Sequence, residues 1–310
     1  MCAPRLDEAW LRENVWPRFS RVLQRKEIYL ANHSLGRPPD RMEADVRAAL
    51  EAWYRDMDGA WRFWTEGRER FRSLTARLLG VEPASIVPKT SAGQGLRAVL
   101  NALPGTPRVL TSDAEFDSLD FILRVYRDKG RVQLKALPFD AFRFEDCDLV
   151  VLSTVAFRTG KVFQDLKDVV ERAHASRALV LLDVYHHAGV LPLDLAALDA
   201  DFAVGGSYKY LRGGPGACWL YVRPGLFHFE LGWPDQLSWS DRFGPGAGRL
   251  ERRSGSRRRE RFGVRRALGR RRRGRGRHAA AGGHHQALAF VDHVGVGNVL
   301  VQREQYIQRG

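Results

Sequence analysis

The sequence predicts an α/β protein built on a mostly parallel sheet with helices on both faces. Three observations carry that prediction. Short runs rich in Val, Leu and Ile alternate with helical stretches of ten or more residues, the pattern of parallel strands buried on both sides. Two of those runs end in chemistry, an aspartate at 183 and a polar, aromatic stretch at 207–209, and ligands in such sheets sit beyond the carboxyl ends of the strands. The alternation stops after about Gly246, which confines the sheet to the residues before it.

In chain order, residues 5–27 place Leu6, Trp10, Val15, Phe19, Val22 and Leu23 at helical spacing and predict a helix. IYLANHSLGRPP (28–39) reads as a short strand running into a Pro-Pro turn, after which Asp40 is placed to cap a helix over RMEADVRAALEAWYRDM. A further helix covers 59–80 and ends at Gly80. VEPASIVPKTSAGQGLRAVLNAL reads as a short strand, a small-residue loop and a helix. Strands follow at 108–112, 132–138 and 148–155, a helix at 166–176, and strands at 177–184, 201–207 and 217–224.

Composition bounds the function classes. With 310 residues, 44% of them hydrophobic, the chain can bury a large core. The first residues, MCAPRLDEAWLRENVW, carry charges where a signal peptide needs an apolar stretch, and no run reaches 18 apolar residues. A cytoplasmic protein with no membrane span is therefore expected. Cys2, Cys147 and Cys218 are odd in number and far apart, so neither a disulfide framework nor a metal site is expected. The net charge of +14 is local: Arg249–Arg277 holds 15 Arg against 2 Glu, a balance of +13. Three readings of that block stand side by side. It is an arm for nucleic acid or another acidic surface, a linker too poor in apolar residues to pack, or the product of a GC-rich gene read out of frame. Phe262 alone interrupts it, which gives no stacking platform for single strands.

The chemistry concentrates in LLDVYHHAGVLPLDLAALDADFAVGGSYKYLRGGPGACWLYV (181–222). Asp183 closes an apolar strand. Lys209, 26 residues on and the last lysine of the chain, follows another strand, with Tyr208 and Tyr210 on either side and Gly205-Gly206-Ser207 before it. An acid for a pyridine nitrogen and a lysine for an aldehyde are what pyridoxal phosphate needs. A Schiff-base lysine must be fixed and have a lowered pKa, which partial burial among aromatic rings supplies. Read singly, Asp183 is equally a turn or cap residue and Lys209 a loop lysine; it is their pairing that favours the cofactor. Gly213, Gly214 and Gly216 let the backbone turn close to a ligand or a partner chain. The loop Lys89–Gly95 opens a helix and offers a phosphate site, although an ordinary capped helix start looks the same. Phe116 follows the 108–112 strand and is either a core residue or a platform for a flat cofactor. His186 lies three residues after Asp183 as a packing or acid–base group, with His187 as its rival.

Taken together these residues resemble the cofactor-lysine region of class V aminotransferase-fold enzymes, and within them kynureninases. Asp-x-x-His, LPLDL, the Asp-Phe-Ala-Val strand and Ser-Tyr-Lys-Tyr-Leu-x-Gly-Gly-Pro-Gly have counterparts in order. YLANHSLGRPP resembles that family's Gly-Asn-Ser-Leu-Gly motif with His33 for the Asn, KTSAGQGLRAVL takes the place of its phosphate-loop helix, and EFDSLD resembles its Asn-Phe-Pro-Thr-Asp segment. The likeness runs from about residue 28 to 248. It implies an aspartate aminotransferase-like large domain on a seven-stranded sheet, with pyridoxal 5'-phosphate as cofactor. Lys209 would bond the cofactor and Asp183 would pair with its ring nitrogen. Phe116 would stack on the ring, His186 would lie near its 3-oxygen, Tyr208 would bind the phosphate and relay a proton, and Ser91 and Ala92 would donate to the phosphate. Gly232-Trp233 resembles a stretch that reaches toward the active site. The implied reaction is hydrolysis of the Cβ–Cγ bond of kynurenine to anthranilate and alanine in a homodimer, with an amino acid as small-molecule substrate and no nucleic acid or membrane as partner.

The resemblance has departures. Asp117 stands where the family has proline, the Gly-Thr-Pro segment is replaced by the arginine block, and the small C-terminal domain with its carboxylate-binding arginine has no recognisable counterpart. The expected organisation is an N-terminal segment (1–40), a cofactor-binding large domain (41–246), the Arg/Gly-rich segment (247–283) and a remnant of the small domain (284–310). Two rivals remain. One is another reaction of the same cofactor, a class V aminotransferase or a desulfurase, although no cysteine lies in a mobile loop. The other is an inactive enzyme fold that uses the arginine arm to bind nucleic acid.

Overall fold

The computed structural model describes residues 7–226. The expectations for Gly232-Trp233, for the segments 247–283 and 284–310, and for the last part of the 41–246 domain lie outside those residues. Helices α1 (Glu8–Asn14) and α2 (Ser20–Leu23) flank a 3-10 turn at Trp16–Phe19. They lead to α3 (Arg41–Arg55) and α4 (Ala60–Leu79). Strand β1 (Ile86–Lys89) precedes α5 (Ala92–Ala102), and β2 (Arg108–Ser112) precedes α6 (Asp117–Asp128). Then follow β3 (Gln133–Leu137), β4 (Leu149–Ser153), α7 (Leu166–Ala175), β5 (Leu179–Asp183), the single turn α8 (Leu195–Leu198), β6 (Phe202–Gly206) and β7 (Cys218–Val222).

The seven strands form one sheet in the order β1-β7-β6-β5-β4-β2-β3. The pairs β2–β3, β2–β4, β4–β5 and β5–β6 are parallel, and β7 runs antiparallel to both its neighbours, β6 and β1. Alternate residues of each strand go to opposite faces, and two separate cores result. On one face Val150, Leu152, Val180, Leu182 and Trp219 pack with Leu79 of α4 and Val169, Val170 and Ala173 of α7. On the other, Leu149, Val151, Leu181, Val204 and Leu220 pack with Leu96, Val99 and Leu100 of α5 and Leu119, Ile122 and Leu123 of α6. β4, β6 and β7 are buried along their whole length, which is why they read as continuous apolar runs.

The register puts the chemistry on one edge. Ser153 of β4 pairs with Asp183 of β5, Asp183 with Val204 of β6, and Gly206 at the end of β6 with Cys218 at the start of β7. Cys218 in turn pairs with Lys89 at the end of β1. The exits of β1, β4, β5 and β6 and the entrance to β7 therefore open on the same side.

Three expectations at the N-terminal end are corrected. The helix expected over 5–27 is broken at Pro17, whose ring cannot sit in a helix interior. Residues 28–39 form no strand; they form a turn at Ala31–Leu35 and reach the site through Gly36. Asp40 makes no cap bond to α3; its carboxylate accepts from the Ser20 N–H and hydroxyl and from the Arg21 N–H, so it ties α2 instead. The helices α6 and α8 are elements that the sequence expectations do not include. Gly80 ends α4 in the left-handed conformation (φ 69°), as its position implies.

Candidate active site

Lys209 is buried, 4% exposed, in the turn between β6 and β7. Its Nζ lies 2.8 Å from Nε2 of His186. The same nitrogen stands 4.7 Å from the ring centre of Phe116, 5.2 Å from that of Tyr185 and 5.8 Å from that of Tyr208. Burial pushes the ammonium down to about 8, against the pull of the Asp183 charge. His186 is lowered to about 4, by burial first and then by the Lys209 charge, so near neutral pH it faces the amine as an uncharged ring. This is the polar, aromatic, partly dry setting that an amine needs in order to be a nucleophile.

Asp183 is held at the end of β5 and is 4% exposed. Its Oδ1 accepts the Tyr185 N–H at 2.9 Å. Burial raises its pKa to about 6, while the Tyr185 hydrogen bond and Lys209 act the other way. A carboxyl in that state gains most from a neighbouring cation or N–H that keeps it ionised.

Phe116 caps α6 with extended backbone (φ −61°, ψ 139°), which turns its ring back over Lys209. It meets Phe157 edge-on at 5.3 Å and His186 at 6.4 Å. Of the two neighbouring histidines, His186 meets the lysine, and Nε2 of His187 lies 3.1 Å from the Pro192 carbonyl oxygen. His187 is thus a packing residue of the loop.

Ser91 and Ala92 open α5, some distance along the edge. The Ser91 hydroxyl accepts the Gln94 N–H at 3.1 Å, and Gln94 Oε1 accepts the Thr90 N–H at 2.9 Å. The first amides of such a helix have no partner within it and favour an anion. A chain of contacts joins this end to the lysine. Cys218 Sγ donates to the Thr90 carbonyl oxygen at 3.3 Å and lies 2.6 Å from the Tyr185 hydroxyl. The Tyr185 ring lies 5.3 Å from that of Tyr208. Burial raises the Tyr208 hydroxyl to about 12, which keeps it a donor.

The seven residues expected from the sequence thus divide into two groups. His186, Phe116 and Tyr208 surround the Lys209 amine, with Asp183 acting on it through its charge. Ser91 and Ala92 form the helix start reached through Thr90, Cys218 and Tyr185. A buried amine, a buried carboxyl, a flat ring and a helix N-terminus on one sheet edge fit an aldehyde-bearing heteroaromatic phosphate. Close backbone packing also fits a built site: a Cβ on Gly206 would lie 2.0 Å from the Tyr185 hydroxyl, and one on Gly36 would lie 1.8 Å from the Lys209 carbonyl oxygen.

Two members of the site are missed by sequence reasoning. Tyr185 sits in an apolar run and shows nothing locally; its hydroxyl partner is 33 residues away. Glu115, the residue before Phe116, is 4% exposed. It accepts from the Ser112 hydroxyl (2.6 Å), the Ser153 hydroxyl (2.6 Å) and the Ser153 N–H (3.1 Å). Burial raises it to about 7, those hydrogen bonds oppose the shift, and the Asp183 charge adds to it. The available signal was an acid placed directly before a candidate stacking ring.

Among the described residues no cluster of His, Cys, Asp and Glu could hold a metal ion, and no helix is long and apolar enough to cross a membrane.

Comparison with known proteins follows the same lines. The family model for class-V aminotransferases matches residues 62–230. Kynureninase of Deinococcus radiodurans is 32% identical over 211 residues, covering 63% of this chain and 51% of that protein. Kynureninase of Salinispora tropica is 31% identical over 215 residues, 61% of this chain and 50% of that protein. The chain spans about half the length of these curated relatives. Among solved structures, a C-DES mutant with glycine covalently linked to its PLP cofactor superposes with a TM-score of 0.62 at 18% identity, over 69% of this chain and 60% of that one. The apo cysteine desulfurase of Thermococcus onnurineus NA1 gives 0.60 at 18% identity, over 74% and 60%. These two likenesses show the fold and bear out the expected seven-stranded, mostly parallel sheet.

Proposed function

Because the chain belongs to the class-V aminotransferase family, we propose that its site serves a pyridoxal-phosphate enzyme that cleaves kynurenine hydrolytically to anthranilate and alanine. The observation that carries the reading is the Lys209 amine, lowered to about 8, 4.7 Å beneath the Phe116 ring and electrostatically coupled to Asp183. The kynureninase likeness at about a third identity supports the choice of reaction.

Bound there, pyridoxal phosphate would supply an electron sink for the substrate's bonds. The chain's own residues have the rest to do. Lys209 offers a neutral amine at Nζ and can later carry a proton. Asp183, fixed by the Tyr185 N–H, holds a proton on a ring nitrogen through its charge. Phe116 keeps a flat group in plane and keeps water from that face. His186, uncharged, fixes Nζ. Tyr208 donates from a hydroxyl that stays protonated, and the amides at Ser91 and Ala92 meet a phosphate.

The same proposal includes the domain limits 1–40, 41–246, 247–283 and 284–310, a cytoplasmic site of action and a homodimer. Ile28 and Leu30, 87% and 82% exposed, offer apolar surface to a second copy.

Borohydride reduction of the full chain after addition of pyridoxal phosphate tests the cofactor reading, with mass spectrometry reading which lysine is modified. Label on Lys209, lost in Lys209→Ala, is the expected result. Label elsewhere, or none, overturns it. Release of fluorescent anthranilate from kynurenine then tests the reaction, against amino-acid/keto-acid pairs for a transaminase.

A further inference from the structure

Glu115 is a buried acid that the proposed chemistry does not use. It lies in the turn 112–116, between the end of β2 and the start of α6. That turn is tied on both sides. Toward β3, the Asp113 N–H donates to the Leu137 carbonyl at 2.9 Å, and Asp113 Oδ1 accepts the Phe139 N–H at 2.9 Å. Toward β4, Glu115 Oε1 accepts the Ser153 N–H at 3.1 Å and Glu115 Oε2 meets the Ser153 hydroxyl at 2.6 Å. Oε1 also meets the Ser112 hydroxyl at 2.6 Å, and the same Ser112 oxygen accepts the Ala114 N–H at 3.3 Å. Ser112, Glu115 and Ser153 are all buried, so water does not take over these bonds and losing one partner strands the other.

The ties meet at the two groups expected to hold a flat heteroaromatic ring. Phe116 is the next residue in the chain, with its ring centre 4.7 Å from Lys209 Nζ. Ser153 is the register partner of Asp183. Thr154 donates from its N–H and its hydroxyl to the Asp183 carbonyl, at 3.0 and 3.1 Å. Phe116, Glu115, Ser153 and Asp183 thus form a continuous series of covalent and hydrogen-bonded links across the site. The acid suits that place in its neutral form. Burial raises it to about 7, and a proton on Oε2 can go to the Ser153 oxygen while Oε1 keeps its two donors. No second negative charge then stands beside Asp183.

Resting on the reading of Lys209 as the cofactor lysine, we propose that Glu115 is a positioning residue of that site: through Ser153 it fixes the spacing between the Phe116 ring and the Asp183 carboxyl. A rigid ring stacked on Phe116 brings its nitrogen to Asp183 only when those two groups stand at one separation. A buried side chain bonded to the ends of both β2 and β4 holds that separation to within a fraction of an ångström, the tolerance such a site needs.

The test titrates the full chain with pyridoxal phosphate in a double-mutant cycle of Glu115→Ala and Phe116→Leu, following the visible absorption and induced circular dichroism of the bound cofactor. Each single variant is expected to bind about tenfold more weakly than wild type. The double variant is expected to lose clearly less than the product of the two losses, because Glu115 acts in part through the ring that Phe116→Leu removes. Glu115→Gln, which keeps an acceptor for Ser112 and a donor toward Ser153, is expected to recover most of the affinity and the wild-type dichroism. Should Glu115→Ala not fold, Ser153→Ala, which removes a single hydroxyl, takes its place in the cycle with the same expectation. Losses that multiply overturn this inference alone, as does a Glu115→Ala that unfolds at lower urea yet binds the cofactor as tightly as wild type. Absence of any cofactor band in wild type overturns the proposed function and this inference with it.

Discussion

Gly36 packs its Cα against the backbone of Lys209. Its N–H donates to the neighbouring Tyr208 carbonyl at 2.7 Å, and a Cβ in its place would lie 1.8 Å from the Lys209 carbonyl oxygen. The obstacle is backbone, so it cannot swing aside. Gly36→Ala is expected to push the 28–39 segment off the lysine turn at a cost of about 1–3 kcal/mol. Affinity for pyridoxal phosphate, measured by titration of its absorbance, should fall about tenfold or more, with the far-ultraviolet circular dichroism of the sheet retained. Unchanged affinity would show that the segment is free of the lysine turn in solution.

Glu115 predicts an inverted pH dependence of stability. Its folded pKa, about 7, stands above its ordinary value of 4.5 because burial disfavours the charge. Its protonated form is thus favoured by folding, and that contribution is whole below about pH 4.5 and lost as pH rises through 7. The loss amounts to at most about 3 kcal/mol. In urea titrations between pH 5 and 8.5, Glu115→Gln should gain stability over wild type as pH rises. Parallel curves for the two proteins would mean that Glu115 is ionised throughout.

The lowered lysine predicts the pH profile of cofactor uptake. A neutral amine attacks an aldehyde, so the rate of pyridoxal-phosphate incorporation should rise with pH around a midpoint near 8. The Asp183 charge acts to raise that value, so Asp183→Asn should move the midpoint down while weakening retention of the cofactor. A midpoint near 10 in wild type would contradict the burial of Nζ.

Cys218 is predicted to matter as a hydrogen-bond partner. Its Sγ sits between the Tyr185 hydroxyl and the Thr90 carbonyl. Cys218→Ala strands a buried hydroxyl and should cost about 1–3 kcal/mol in unfolding free energy. Cys218→Ser, which keeps a donor and an acceptor, should recover much of it. Equal losses in the two variants would assign the effect to packing volume alone.

The strands were legible in the sequence because β4, β5, β6 and β7 are buried on both faces, which leaves continuous runs of Val, Leu and aromatic residues. Asp183 and Lys209 were legible because they follow such runs. Helix α6 was harder to see, since only Leu119, Ile122 and Leu123 of its twelve residues are buried. Residues 28–39 mimic a strand by their apolar start, yet Ile28 and Leu30 point to solvent and the segment is held by Gly36. Asp40 was placed correctly for a cap but serves a helix 20 positions upstream. Glu115 and Tyr185 could not be found locally, because what defines them is contact with Ser153 and Cys218 across the sheet.

The antiparallel strand β7 lies between β6 and β1. β1 therefore has no place in the sheet until Cys218–Val222 exists, 128 positions after the loop at Thr90 that Cys218 touches. As the chain emerges from a ribosome, β2 to β6 can zip together in parallel while β1 waits as an unpaired edge. Long-range closures of this kind are slow and exposed to aggregation. The start of α5 and the lysine turn are thus brought together last, and a nascent chain interrupted before Val222 would hold a nearly finished sheet without its chemistry.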